Sequence, residues 1–409
     1  MGPSWVIGVA CPLTLCPDDR CARLVHTGPV DVWIWPAYVG VLLGVTLFAV
    51  IFVPTLIVQT RRYGAPSLRR LIGTAAVAVY GVALVAYTLL PLPSGDLAQW
   101  CVAHGVSGAQ LTPGQFLADI QRDTAGLGLR ATLMSRTVLQ VVLNVALFVP
   151  LGALLRRYAG RGILTSTLAA FAVSLVIELT QYTGVWGLIG CSYRVADVDD
   201  LIANTFGGFV GAVLAPVFLG WMPLGRQLSR TRLVARPVTV WRRWLGMVID
   251  AFLFTFTVGV LAALWEAALL VAGVGAGETP WPVAVWLVRG VLAWVLVFGL
   301  PVAGSGASLG QRAVWLVPAR YDGARPSFGA RALRAWSVGG LWAALQELQV
   351  LPGAAASAQD LFVGLANLVA FVAVLGVIFT RGHRGLSGKI AGTYLVDARA
   401  DSAEAVHNL

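Results

Sequence analysis

Long apolar runs alternate with short polar segments along most of the chain. Each run is close to the roughly 20 residues that a helix needs to cross the hydrocarbon core of a bilayer. Nine such runs lie at 33–58, 71–91, 137–155, 163–184, 200–220, 245–272, 283–303, 336–351 and 360–380. The pattern predicts an all-α, polytopic integral membrane protein with about nine transmembrane helices. The run 336–351 is the shortest, and whether it spans the membrane fully is left open.

Composition agrees with this pattern, because 58% of the residues are hydrophobic and only 12% are charged. The basic residues are distributed unevenly: with alternating helix directions, segments on one side hold 22 of the 29 Lys and Arg residues. These segments are 61–70, 156–162, 225–244, 304–335 and 381–409. Cytoplasmic segments carry such an excess, so we expect the N-terminus outside and the C-terminus in the cytoplasm. Since the charge lies between membrane spans, no nucleic acid partner is expected.

All five cysteines fall in segments that this topology places outside the cytoplasm. An oxidising compartment permits disulfides. A zinc loop in 11–21 is disfavoured because no histidine follows at a suitable spacing. An odd count leaves at least one cysteine without a partner in the chain, and no metal or cofactor is predicted. The candidates for disulfides are Cys11, Cys16, Cys21, Cys101 and Cys191.

A basic segment at 225–244 divides the membrane spans into two groups. We therefore expect two membrane domains, at 61–224 and 245–397, joined by a cytoplasmic linker at 225–244. The remaining parts are an extracytoplasmic segment with the first helix at 1–60 and a cytoplasmic tail at 398–409. The almost lysine-free composition, rich in Ala, Arg, Gly and Val, indicates a bacterial plasma membrane.

Polar side chains inside the spans of the first domain share one depth, in the extracytoplasmic half of the bilayer. Such residues are costly within a membrane and are functional candidates by default. Helical spacing puts Glu178 and Gln181 on one face of the fourth span. In the fifth span, Asp200 and Asn204 share a face, and Gly208 and Gly211 continue that face further along the helix. The full set of candidate ligand-binding residues is Asn144, Glu178, Gln181, Arg194, Asp197, Asp200 and Asn204.

Structural roles are equally open for several of these residues. Asp197 is suited to the N-cap of the fifth span, and Asp200 then favours the positive end of the helix dipole. Asn204 and the glycines that follow it can simply allow close helix packing. Glu178 needs a partner within the membrane, and a structural ion pair with Arg194 is one alternative.

The motifs 144-NVALFVPLG-152, 174-SLVIELTQ-181 and 194-RVADVDDLIANTFGGFVG-211 resemble the signature of the VanZ-like family. The resemblance covers about 70–220. It implies a multi-spanning protein of the bacterial envelope, whose namesake is associated with low-level teicoplanin resistance. It also implies functional roles for the seven candidate residues of the first domain.

The second half, at about 238–397, resembles the RDD family of membrane domains. The segments that carry this resemblance are 243-RWLGMVID-250, 308-SLGQRAVWLVPARYDGARPSFGARALRAW-336 and 385-GLSGKIAGTYLV-396. The chain departs from the family pattern at Gln311, Ser387 and Gly388, which weakens any argument for an acidic ion site. A mutual pair of Glu266 and Arg289 is expected near the outer surface. The candidate polar residues of this domain are Arg243, Asp250, Arg312 and Arg334.

The sequence thus favours a binding or lipid-handling protein over an enzyme. Arg194 can hold a phosphate or carboxylate, while nearby carboxylates bind an ammonium group or sugar hydroxyls. The expected partners are membrane lipids and an amphipathic ligand such as a lipid-linked wall precursor or a lipid-tailed glycopeptide. Two alternatives are an intramembrane enzyme with Glu178 or Asp200 as base and an ion-coupled or lipid transporter. The oligomeric state is not predicted.

Overall fold

The fold is that of a computed structural model, which describes residues 31–105, 108–274 and 281–400, with side chains from residue 35 onward. Cys11, Cys16 and Cys21, the extracytoplasmic segment before residue 31 and the tail from residue 401 lie outside the described residues. The fold is almost entirely helical, as the alternation of apolar runs predicts.

The first half contains five long helices and several short elements on one side of them. The long helices are α1 (Asp31–Tyr63), α2 (Leu68–Leu89), α6 (Arg136–Arg157), α7 (Ile163–Tyr182) and α8 (Val198–Leu219). The short elements are α3 (Leu97–His104), β1 (Ala109–Gln110), α4 (Gln115–Asp123), α5 (Leu129–Leu133) and β2 (Ala196–Asp197). A short helix α9 (Gly225–Ser229) follows on the other side and begins the linker.

The second half contains three long helical stretches and one that is interrupted. The long ones are α10 (Val240–Val271), α11 (Pro282–Trp294), which continues through a π-turn into α12 (Leu300–Ala303), and α16 (Ala356–Phe379). The interrupted stretch is α14 (Phe328–Ala335), a π-turn at Trp336–Gly340, and α15 (Leu341–Leu348). The small elements are α13 (Leu309–Ala313), β3 (Leu316–Ala319), a 3₁₀ turn at Arg381–His383, α17 (Gly385–Ile390) and β4 (Tyr394–Asp397).

Eight helices in the described part of the chain are long and apolar enough to cross a membrane. Large apolar side chains project outward along them, as on α8, where Phe206 and Val217 are exposed. The protein is therefore an all-α, multi-pass membrane protein. The ninth predicted run, 336–351, belongs to the interrupted stretch of α14 and α15, which carries Arg331, Arg334 and Glu347 and is not among the eight.

Helices α6 and α8 pack with their backbones in close contact, and glycines make this contact possible. A Cβ atom at Gly207 or Gly211 would collide with the carbonyl oxygens of Val145 and Val149 on α6. Small residues at this spacing let helix backbones approach within a membrane, where packing rather than hydrophobic exclusion drives association. Gly208 instead faces Ala170 of α7. Of the two glycines in the predicted stripe, Gly211 thus contacts α6 and Gly208 contacts α7, while Gly207 adds a contact with α6 that was not predicted.

The basic segments meet at one end of the helices, here called the Arg-rich face. Arg70 donates hydrogen bonds to the carbonyls of Tyr158 and Pro223, at 2.8 and 3.1 Å. Arg399 donates to the carbonyl of Arg232 at 2.6 Å. These bonds join four of the five basic segments, which agrees with the prediction that they share one side of the membrane.

Trp315 ties the two halves together on the Arg-rich face. Its indole N–H donates to the carbonyl of Thr60 at the end of α1, at 3.0 Å. The guanidinium groups of Arg61, Arg232 and Arg399 lie 4.0, 5.6 and 5.0 Å from its ring centroid. Arginine side chains over an indole face are attracted by the ring quadrupole, so three separate segments converge on this one residue.

A disulfide between Cys101 and Cys191 marks the opposite end, here called the disulfide face. It joins the loop after α2 to the loop before α8. The same two loops are also joined by a two-residue parallel pairing of β1 with β2, which aligns Gln110 with Asp197. A disulfide on the side away from the arginines agrees with the positive-inside assignment. Together these links hold the outer loop against the start of α8.

Candidate functional site at the disulfide face

The start of α8 is capped as the sequence predicts. Asp197 is the N-cap residue, and its carboxylate accepts a hydrogen bond from the backbone N–H of Asp199 at 2.8 Å. Its own backbone N–H donates to the Glu178 carboxylate of α7 at 3.0 Å. Glu178 is thus buried against the cap of α8, and this contact fixes the height of α8 relative to α7.

Asp199 is the residue that sequence reasoning missed. The N-cap residue of helix α4 is Gly114, which has no side chain to cap the free N–H groups of the first turn. Asp199, 85 residues away, accepts from Gly114 N at 2.7 Å and from Phe116 N at 2.9 Å. It therefore serves as a remote N-cap, and its negative charge lies at the positive end of the α4 dipole.

Two polar contacts continue inward along α8. Asn144 of α6 donates to the Asp200 carboxylate. One turn deeper, the Asn204 amide donates to the Ser174 hydroxyl of α7 at 2.9 Å, and both residues are buried. These bonds join α8 to α6 and to α7 in the turns that precede the glycine contacts. Asn204 therefore has a packing role, which was one of the alternatives open from the sequence.

Gln181 and Arg194 lie together at the end of α2 instead of facing the other five residues. Gln181 donates to the carbonyl of Thr88 at 2.7 Å. Arg194 donates to the same carbonyl at 3.1 Å and to that of Leu90 at 3.2 Å. They satisfy carbonyls that the last turn of α2 leaves free. The alternative ion pair of Glu178 with Arg194 is not among those formed in the described residues, because Glu178 accepts from the α8 cap instead.

A cavity of about 310 Å³ lies beside the start of α8, between α4 and α6. Four carboxylates line it, and no Lys, Arg or His side chain is part of the lining. The amide of Gln110 bridges two of the carboxylates, at 3.3 Å from Asp197 and 3.4 Å from Asp199. The carboxylates are those of Asp119, Asp197, Asp199 and Asp200.

The surroundings of this acidic cavity favour a positively charged or hydroxyl-bearing ligand. Burial raises the pKa of Asp197, and the neighbouring charges of Asp199 and Asp119 raise it further, although the backbone N–H of Asp199 opposes the shift. Arg122, which does not line the cavity, lies 2.7 Å from the Asp119 carboxylate. An arriving cation would relieve this repulsion. Within the described residues, no group of three or more His, Cys, Asp or Glu side chains is arranged to hold a metal ion.

Two residues of the cavity wall are also exposed on the membrane-facing surface of α8. Ile202 is 47% exposed and Phe206 is 55% exposed, and both line the cavity. The polar end of the cavity therefore adjoins a surface that contacts lipid tails. Four residues of this cavity were not predicted as part of a site: Gln110 of β1, Gln115 and Asp119 of α4, and Asp199 of α8. Their signal in the sequence is weak, because all four lie in or beside short polar segments.

The candidate residues of the second half are only partly brought together. Arg243, Asp250 and Arg334 line a separate cavity near the Arg-rich face. Arg312 is exposed and lies outside that lining.

The predicted pair of Glu266 and Arg289 is wrong. Arg289 lies 3.7 Å from Glu347 of α15. Glu266 lines a cavity beside this pair, but the ion pair joins α11 to α15 instead of α10. The sequence could not reveal this partner because Glu347 lies in the run whose membrane placement was left open.

Comparison with known families bears on the first half of the chain. Residues 77–219 match the family model described as VanZ/LLP1. This segment is VanZ-like. The match confirms the resemblance predicted for about 70–220, and it contains all seven candidate residues of the first half together with Asp199 and the acidic cavity. No curated protein and no solved structure matches the chain. The resemblance of 238–397 to RDD domains stays a prediction.

Proposed function

We propose that the VanZ-like half binds the head group of an amphipathic envelope ligand at the disulfide face. The head group, bearing an ammonium group or sugar hydroxyls, enters the acidic cavity while the apolar tail lies along α8 in the bilayer. The observation that carries this proposal is the cavity lined by four carboxylates and no cationic side chain, bordered by the exposed apolar residues Ile202 and Phe206. Charge and depth therefore both favour such a ligand.

Within the cavity, Asp119 and Asp197 are the carboxylates best suited to ligand contact. Asp119 is partly exposed, with 30% of its side-chain surface accessible. Asp197 is partly buried and needs only one oxygen to cap α8. Asp199 caps α4 and Asp200 accepts a hydrogen bond from Asn144, so both add negative charge to the cavity without being free to contact a ligand. A charge-assisted hydrogen bond from an ammonium group to such a carboxylate is roughly twice as strong as a neutral one.

This proposal gives Arg194 a different role from the one suggested by the sequence. Its guanidinium donates to two backbone carbonyls of the α2 end, and it is not part of the cavity lining. We therefore assign Arg194, with Gln181, to positioning α2 and the loop that carries Cys191. No phosphate clamp is needed for a ligand that is recognised through its cationic or hydroxyl groups.

A lipid-linked wall precursor or a lipid-tailed glycopeptide such as teicoplanin has the required chemistry. Both combine an apolar tail with a head group rich in hydroxyls and amines. The VanZ resemblance supports a place in the bacterial cell envelope, and our proposal adds a role in antibiotic resistance. Under this proposal the second half is an RDD-like membrane domain. Binding alone accounts for the proposed role, without an enzymatic step.

The proposal can be tested by growth inhibition in a susceptible bacterium that expresses the full chain. Teicoplanin carries a lipid tail and vancomycin does not, so we expect protection against teicoplanin only. The double substitution Asp119→Asn with Asp197→Asn should abolish protection at matched membrane expression, because asparagine keeps the helix cap but removes the charge. Asp123→Asn, on the same helix α4 but outside the cavity lining, is the matched control. Equal protection by the double variant and the wild type would contradict the proposal.

A further inference from the structure

The second half contains a separate cavity of about 290 Å³, bounded by α10, α13, the interrupted helix of α14 and α15, and α16. Its polar end lies near the Arg-rich face, next to the turn that leads into β4. The polar lining includes two arginines, Arg243 and Arg334, whose residues are only 3% and 4% exposed. Arginine is almost never buried this deeply without a partner for its charge.

Within the part of the chain that the structure describes, both guanidinium groups retain buried N–H groups without an acceptor. Arg243 donates from Nη2 to the carbonyl of Arg384 at 3.1 Å, but its buried Nε has no partner. Arg334 donates from Nη1 to the hydroxyl of Thr393 at 3.0 Å, and its Nε and Nη2 have none. Three buried cationic donors are therefore unsatisfied at one cavity, which is costly unless an acceptor occupies it.

The one acidic residue of the lining, Asp250, offsets only one of the two arginine charges and forms no close ion pair with either arginine. Asp250 accepts from the Ser308 hydroxyl at 2.5 Å and from the backbone N–H of Gly310 at 2.7 Å. Among the described residues, the ion pairs include neither Arg243 nor Arg334. Gly388 contributes no side chain beside Arg334, and a Cβ at Gly388 would lie 3.3 Å from Arg334 Nη1. The cavity thus has a net positive lining.

The other end of the cavity is apolar and reaches the membrane surface. Val248 of α10 and Val374 of α16 line the cavity, and they are 50% and 39% exposed. This exposed apolar edge of the cavity, here called the lateral opening, lies where α10 meets α16, beside the hydrogen bond from the Trp244 indole to the Val374 carbonyl at 3.1 Å. Phe298 and Trp342 line the cavity further inside. A molecule entering from the bilayer would therefore meet apolar side chains first and the two arginines at the polar end.

We propose that this cavity binds the oxyanion head group of an anionic lipid that enters from the leaflet on the Arg-rich face. The phosphate oxygens would accept from the free N–H groups of Arg243 and Arg334, and the tail would leave between α10 and α16. Guanidinium groups match phosphate oxygens in geometry and charge. Asp250 keeps the loop that carries Ser308 and Gly310 in place beside the cavity.

The experiment is native mass spectrometry of the purified full chain, with phosphatidylglycerol or phosphatidylcholine added at equal concentrations. We expect phosphatidylglycerol to be retained at least about tenfold more strongly, a difference of about 1.4 kcal/mol. Both lipids carry a phosphate, but the choline cation of phosphatidylcholine is repelled by the net positive lining of the cavity. Arg334→Gln should remove this preference. Arg320→Gln, an equivalent change at an exposed arginine of the same half, should leave it unchanged.

A second variant keeps the test valid if Arg334→Gln does not fold. Val248→Trp leaves both arginines intact but fills the lateral opening, so it should also reduce retention of phosphatidylglycerol.

Adding inorganic phosphate distinguishes the two sources of the oxyanion, a lipid head group and free phosphate. Failure of phosphate to displace the lipid supports a lipid site, whereas displacement supports the same oxyanion subsite with free phosphate as a second occupant. Equal retention of both lipids by the wild type, or wild-type preference in a folded Arg334→Gln variant, would overturn the proposal.

Discussion

Replacing Asp199 by alanine should release the outer loop from α8. Its carboxylate accepts two backbone hydrogen bonds, from Gly114 and Phe116, and only 6% of the residue is exposed. Hydrogen bonds to a charged group contribute about 1.5–3 kcal/mol each, so the change should cost about 3–6 kcal/mol of local stability. The disulfide and α8 remain, which makes the effect an opening of 108–116 instead of global unfolding.

The assay for this prediction is amide hydrogen exchange of the protein in detergent. At about 1.4 kcal/mol per factor of ten, the amides of Gly114 and Phe116 should exchange at least about a hundredfold faster in Asp199→Ala. Asp96→Ala is a matched control, because Asp96 also accepts two backbone hydrogen bonds but is exposed on the nearby helix α3. Unchanged exchange at Gly114 and Phe116 would show that Asp199 does not cap α4, and the described wall of the acidic cavity would then be wrong.

Three further predictions concern packing and pH. Gly211→Leu should separate α8 from α6 at a cost of about 3 kcal/mol or more in thermal unfolding, whereas Gly81→Leu, at a helical glycine with open space around it, should cost little. Asp397→Asn should lower the free energy of unfolding by about 3 kcal/mol, because the buried Asp397 carboxylate forms ion pairs with Arg242 and Arg399. Unfolding titrations should show this loss, and little loss for Asp322→Asn, which changes an exposed carboxylate. The pKa of Asp397 is lowered, since burial raises it but the bonds from Arg399 and Arg242 outweigh burial. The stabilisation by Asp397 is therefore fully present above the pKa of this carboxyl in the unfolded chain, and it should disappear as the pH falls through the pKa in the folded protein. The pKa of Asp197 is raised, so the pH dependence of its contribution to stability is opposite to that of Asp397. The local stability at the start of α8 should weaken as the pH rises above about 3.9, the unfolded pKa of an aspartate. Hydrogen exchange at the start of α8 should show this dependence in the wild type and not in Asp197→Asn.

Periodicity and spacing were enough to predict the membrane spans and the small-residue face of α8. These features depend on nearby residues only. An apolar run is enough to predict a membrane-spanning helix, and the spacing of glycines along a helix is enough to predict which of them share a face. The N-cap role of Asp197 is local in the same sense. The sequence also placed Glu178 and Asp197 at one depth, and the structure joins them through a single hydrogen bond.

Contacts between distant segments could not be predicted in the same way. Asp199 caps a helix that begins 85 residues earlier, and nothing in the spacing around either residue indicates that they meet. The sequence offered Glu178 as an ion-pair partner for Arg194, but the position of Arg194 beside the end of α2 gives it carbonyls instead. The acidic cavity follows from these two arrangements, since one brings Asp119 toward α8 and the other keeps Arg194 away.

The most direct test of the proposed function is equilibrium binding of fluorescently labelled teicoplanin to the full chain in lipid nanodiscs. We expect saturable binding that unlabelled teicoplanin displaces and vancomycin displaces weakly, and that weakens at least about tenfold in the Asp119→Asn and Asp197→Asn double variant. The Asp123→Asn control should bind as the wild type does. Undiminished binding by the folded double variant would contradict the assignment of the acidic cavity as the ligand site.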